Sequence, residues 1–87
     1  PIYMKRRNGL LKMRILMIKL SSLGDIIHTL PALNALKKAY PQAEIDWVTE
    51  ETGKELLSGH PYINQLLLYK RYGWPKELKK GLWGQVL

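Results

Sequence analysis

Four consecutive apolar residues, Ile15, Leu16, Met17 and Ile18, inside the stretch RILMIKL (Arg14 to Leu20), admit few folds. Successive side chains of a strand point to opposite faces, so an unbroken apolar run needs cover on both sides, as a parallel sheet flanked by helices provides. The period then changes. Ile26, Leu30, Leu33, Leu36 and Tyr40 recur at spacings of four, three, three and four, which is one stripe of an amphipathic helix. Pro41 ends that helix, and EIDWVT (Glu44 to Thr49) alternates as a second strand with Ile45, Trp47 and Thr49 on one face. EETGKELLSG reads as a short helix stopped by Gly59 and Pro61, INQLLLY as a third strand, and WPKELKKGLWGQVL as the start of a third helix. Strands alternating with helices define an α/β fold with a Rossmann-like parallel sheet.

Pro31 falls inside the first helical pattern. The expectation is a short turn from Asp25 to about Thr29 and a main helix starting at Pro31, where a missing N–H does least harm. Residues 1–12 carry no clear periodicity and are expected to form an extension outside the fold, with the domain beginning at Met13. The chain opens on Pro1, with Met4 and Met13 both available as starts, and KKGLWGQVL ends without a polar tail, so the expectation is a piece of something longer.

With 87 residues there is room for one small domain, and 46% hydrophobic against 24% charged content belongs to a globular chain. No cysteine is present, which removes disulfides and thiolate zinc sites and suits a reducing cytoplasm. The net charge of +7 calls for an anionic partner: nucleic acid, an acidic membrane surface or a phosphorylated small molecule. The basic residues are scattered in small clusters, Lys5 to Arg7, Lys37 to Lys38, Lys70 to Arg71 and Lys76 to Lys80, each of which also reads as a solvated face. Lys12, Arg14 and Lys19 break the N-terminal apolar stretch too often for a signal or a membrane span of ~20 residues.

Ligands of open α/β sheets bind outside the carboxyl ends of the strands, where KLSSLGD follows the first strand. With Gly24 as its one glycine, this loop is neither a dinucleotide fingerprint nor a P-loop. It offers a cation (Lys19), two hydroxyls (Ser21, Ser22), a flexible Gly24 and a carboxylate (Asp25). An anionic sugar acceptor could be held by the first three while Asp25 accepts a proton. Alternatively, Ser22 or Asp25 simply caps the helix, as these residue types commonly do.

The segment Met13 to Glu51 resembles the N-terminus of the ADP-heptose:lipopolysaccharide heptosyltransferases, glycosyltransferase family 9, nearest the heptosyltransferase I branch. The pattern K-x-S-S-x-G-D-x-x-H-T-L-P-A-L is carried by Lys19, Ser21, Ser22, Gly24, Asp25, His28, Thr29, Leu30, Pro31, Ala32 and Leu33, and DWVTEE continues it. From Thr52 onward the match is looser, with Lys70 to Lys76 falling where the family has a basic, tryptophan-containing loop. The resemblance implies that residues 13–87 are part of the N-terminal, acceptor-side Rossmann-like domain of a GT-B glycosyltransferase. It implies transfer of heptose from ADP-heptose to the Kdo region of lipid A in lipopolysaccharide core biosynthesis, inverting, with Asp25 as general base. It further implies acceptor contacts at Lys19, Ser21, Ser22 and Gly24, and more weakly at Lys70, Arg71 and Lys76.

In that last loop the family tends to carry several arginines where this sequence has Tyr72, Gly73 and Pro75, and lysine does not replace arginine's bidentate fork. No metal or cofactor is implied, since no acidic or histidine cluster has ligand spacing. His28 and His60 carry no catalytic expectation, and Trp47 and Trp83 are expected to pack. The resemblance places the ADP-heptose donor mainly on a C-terminal domain that the sequence does not contain, and the whole enzyme in the cytoplasm against the inner face of the inner membrane, with no nucleic acid bound. Alternatives are a heptosyltransferase II or III type of the same family, or a non-catalytic basic α/β module binding nucleotide or nucleic acid. The chain by itself is expected to be inactive.

Overall fold

A computed structural model describes residues 2–6, 13–70 and 83. Four strands form one mixed sheet in the order β1-β2-β3-β4: β1 Ile2–Arg6, β2 Met13–Ile18, β3 Glu44–Thr49 and β4 Gln65–Leu68. Helix α1, Leu23–Ala39, joins β2 to β3, and α2, Glu51–Leu57, joins β3 to β4. The strands β2, β3 and β4 are mutually parallel, with Leu16 opposite Asp46 and Val48 opposite Leu67. This βαβαβ unit is the α/β arrangement expected from the alternating periods, and it is compatible with a Rossmann-type sheet.

The apolar run of β2 has the two-sided burial its composition demands. Ile15 and Met17 face α1 together with Ile45 and Trp47 of β3, Ile26 and Leu33 of α1 and Leu57 of α2. Leu16 faces the other way and packs with Val48, Leu67 and Trp83. Of the helical stripe, Ile26 and Leu33 are buried and Leu30 and Leu36 are packed against the same core, while Tyr40 is exposed and serves as the C-cap position. Among the described residues no helix is long and apolar enough to cross a membrane.

Two expectations are corrected. The first helix is not broken at Pro31 but runs unbroken from Leu23 to Ala39 with Pro31 inside it. A proline in a helix interior costs about 3 kcal/mol. Here Ile26 before it and Leu33 after it are both fully buried in one core, so packing on both sides of the proline offsets that cost and keeps the helix continuous. Residues 2–6 are also not outside the fold: β1 pairs antiparallel with β2, Ile2 opposite Met17 and Arg6 opposite Met13. The sheet is therefore mixed, and the open side of β2 is covered by the chain's own N-terminal segment. Its alternation is shallow, with Tyr3 packed against the second core and Ile2 and Met4 still about half exposed, which is why the sequence pattern there is weak. The third helix expected after Lys70 lies outside the described residues apart from Trp83.

Candidate functional site: the loop between the first parallel strand and the first helix

Because β2, β3 and β4 are parallel, their carboxyl ends share one edge of the sheet, and Lys19, Glu50 and Lys70 sit close behind them. Lys19 and Leu20 leave β2, Ser21 and Ser22 turn the chain, and Leu23 opens α1. The Ser21–Ser22 peptide is cis. Ser22 is the N-cap residue in extended conformation, its carbonyl accepting from the Ile26 N–H at 2.9 Å, yet its hydroxyl makes no capping hydrogen bond. Asp25 is not at the cap. It is the third residue of the helix, in the first turn, where the exposed peptide N–H groups favour an anion.

Asp25 is exposed, and its backbone carbonyl accepts from the Thr29 hydroxyl at 2.7 Å. Among the described residues its carboxylate makes no hydrogen bond or ion pair. Ser21, Ser22 and Gly24 are exposed as well, Lys19 is half-buried, and Lys70 is exposed just after β4. Thus the structure brings Lys19, Ser21, Ser22, Gly24 and Asp25 together on one turn, with Lys70 on the same sheet edge beyond β3. Arg71 and Lys76 lie outside the described residues. His28 is exposed off the packed stripe of α1, and His60 accepts from the Tyr62 N–H at 3.1 Å in a turn. Among the described residues no three His, Asp or Glu side chains gather as a metal site requires.

Gly24 has nothing within 4 Å of where a Cβ would stand. The fold does not demand glycine there, and its bare backbone leaves space over the helix N-terminus. Gly53 is the opposite case: a Cβ would meet the Thr49 hydroxyl and come 2.7 Å from Ile26 Cδ1, so this glycine lets α2 close onto β3 and α1.

The sequence reading passed over a second polar group. Asp46 is fully buried in β3, on the sheet face away from α1. Its carboxylate accepts from Arg14 Nη2 at 2.8 Å, from Trp83 Nε1 at 3.0 Å and from Asn64 Nδ2 at 3.2 Å. Arg14 also pairs with Glu44 at 3.3 Å. Arg14 is the one charged residue of β2, and Asp46 breaks the apolar run Ile45 to Val48 of β3, which is the sequence signal that could have found them. The group is a structural tie from the sheet to Trp83, away from the loop.

No family model and no solved structure matches the chain. Curated proteins do match it. A protein named lipopolysaccharide heptosyltransferase 1 from Pseudomonas aeruginosa is 44% identical over 66 residues, 76% of this chain and 19% of its own length. The protein of the same name from Escherichia coli K12 is 39% identical over 64 residues, 74% of this chain and 20% of its own. Lipopolysaccharide core heptosyltransferase OpsX of Haemophilus influenzae is 35% identical over 69 residues, 79% and 19% of the two lengths. An α/β chain with a polar loop at the carboxyl edge of its sheet, the protein is related by sequence, over three quarters of its length, to the lipopolysaccharide heptosyltransferases. Within that family its relatives include several proteins named heptosyltransferase 1, and the chain spans about one fifth of their length.

Proposed function

We propose that this chain forms part of the acceptor-side domain of an inverting heptosyltransferase, which moves heptose from ADP-heptose to the Kdo region of lipid A. What carries the reading is the sequence match to proteins named heptosyltransferase 1, three quarters of this chain being covered. The geometry of the loop supports it. A general base must reach a substrate proton, and Asp25 stands exposed in the first turn of α1 with no partner for its carboxylate among the described residues.

In this mechanism the Asp25 carboxylate takes the proton of a Kdo hydroxyl as its oxygen attacks the anomeric carbon of the heptose. The bond from that carbon to the ADP oxygen breaks on the opposite face, its electron pair leaving with ADP, and the configuration inverts. Lys19, Ser21, Ser22 and the open backbone at Gly24 grip the anionic acceptor, with Lys70, Arg71 and Lys76 adding charge. The ADP-heptose site lies mainly on a further domain, and the enzyme works in the cytoplasm against the inner face of the inner membrane, where its lipid acceptor sits. The basic balance of +7 suits that anionic surface.

The test is a chimera of the Pseudomonas relative in which this chain replaces the matched segment. Asp25→Asn should lower kcat for heptose transfer roughly 10²- to 10⁴-fold with the fold unchanged by circular dichroism. Turnover near that of the parent chimera would remove Asp25 from the chemistry.

A further inference from the structure

The loop that carries the candidate site is held from below by buried side chains of β3. The Lys19 N–H donates to the Val48 carbonyl at 3.1 Å, extending the parallel ladder one step past β2. The Lys19 carbonyl accepts from the Trp47 indole N–H at 3.2 Å. The next carbonyl, that of Leu20, accepts twice: from the Glu50 N–H at 3.0 Å and from the Thr49 hydroxyl at 3.3 Å. Trp47 and Thr49 are both 0% exposed. Gly53 closes α2 onto the same hydroxyl, so Thr49 is clamped between α2 and the loop.

A buried threonine could fill its space equally well as valine, and a buried tryptophan could pack without using its N–H. Here both polar atoms point at consecutive carbonyls of one loop, and that loop presents Lys19, Ser21, Ser22 and Asp25. We infer that Thr49 and Trp47 are positioning residues, whose hydrogen bonds to the Leu20 and Lys19 carbonyls fix the loop that presents Asp25 and its neighbours. Neither side chain touches a substrate. They act by holding the backbone just ahead of the helix N-terminus, where a displacement of about 1 Å can cost roughly 10²-fold in rate. The catalytic consequence rests on the heptosyl-transfer reading, whereas the mechanical one does not.

The two are separated by testing them apart. In the 87-residue chain, Thr49→Val keeps the side-chain shape and removes the hydroxyl, Thr49→Ser keeps the hydroxyl, and Trp47→Phe removes the indole N–H. Amide hydrogen exchange and backbone chemical shifts are read by NMR. Thr49→Val should speed exchange at the Glu50 N–H by about tenfold or more and shift Ser21 to Asp25, while β2 and α2 keep their protection. Thr49→Ser should restore the parent values, and Trp47→Phe should shift Lys19 to Ser22. Unchanged exchange and shifts in Thr49→Val would overturn the inference, as would a loss of protection throughout the chain that Thr49→Ser fails to restore.

In the chimera, Thr49→Val should lower kcat about tenfold while KM for the donor stays level, and Thr49→Ser should recover it. If the parent chimera transfers no heptose, the functional reading falls and the exchange data alone decide the positioning role. If the parent is active and Thr49→Val matches it, the positioning role is overturned.

Discussion

Gly24 and Gly53 are the same residue type, one in each helix, set there for opposite reasons. At Gly53 the neighbours leave no room: a methyl group would strike the Thr49 hydroxyl and stand 2.7 Å from Ile26 Cδ1. Gly53→Ala should therefore destabilise the chain by about 1–3 kcal/mol, the usual range for overpacking, as a lower urea midpoint at unchanged m-value. At Gly24 nothing lies within 4 Å, and a helical glycine gives up about 0.5–1 kcal/mol relative to alanine. Gly24→Ala should leave the urea midpoint equal or higher. In an active chimera it should raise KM for the lipid A acceptor, because the methyl fills space the acceptor would use; an unchanged KM would take Gly24 out of the site.

Among the elements, β1 has the greatest consequence for the rest. Seen only as a βαβαβ chain, β2 would be left with one bare edge carrying its apolar run, and such an edge pairs readily with other chains. The Ile2–Arg6 strand occupies it in antiparallel register, and it places Lys5 and Arg6 on the outermost strand, where charge discourages further pairing. Removal of residues 1–12 should make the chain associate in a concentration-dependent way relative to the intact 87-residue chain, measured by sedimentation velocity. A truncated chain that stays monomeric at high concentration would mean that the β2 edge needs no cover. The other cross-element tie is Asp46. Its burial is tolerated because three donors, from β2, from the turn before β4 and from Trp83, converge on one carboxylate.

For the molecule as a whole, the parallel strands bring the loop after β2, the N-terminus of α2 and Lys70 to a single edge, so a ligand there meets residues far apart in sequence. The chain spans about a fifth of the heptosyltransferases it matches, and glycosyl transfer needs donor and acceptor held in a near-attack arrangement. We therefore expect the 87-residue chain alone to transfer no heptose and to bind ADP-heptose no better than other nucleotides. Calorimetric titration with ADP-heptose, and an assay of heptose incorporation into Kdo-lipid A, check this. Micromolar donor binding or measurable turnover would mean that these residues suffice.

The α/β class was legible because hydrophobic period is a local property: Ile15 to Ile18 cannot be buried except between two layers, and the Ile26 to Leu36 stripe cannot be buried except as a helix. The loop Lys19 to Asp25 was legible for the same reason, since it falls where one period gives way to the other. Pairing and the continuity of α1 were not. Whether Ile2–Arg6 joins the sheet depends on an edge offered by β2, and whether α1 passes through Pro31 depends on burial of Ile26 and Leu33 against strands from elsewhere in the chain. The partners of Asp46, and the bonds from Trp47 and Thr49 to Lys19 and Leu20, join residues 18 to 37 positions apart. Such contacts have no local signature, because side-chain hydrogen bonds are specified by where the folded backbone brings a donor and an acceptor, and only the tertiary structure decides that.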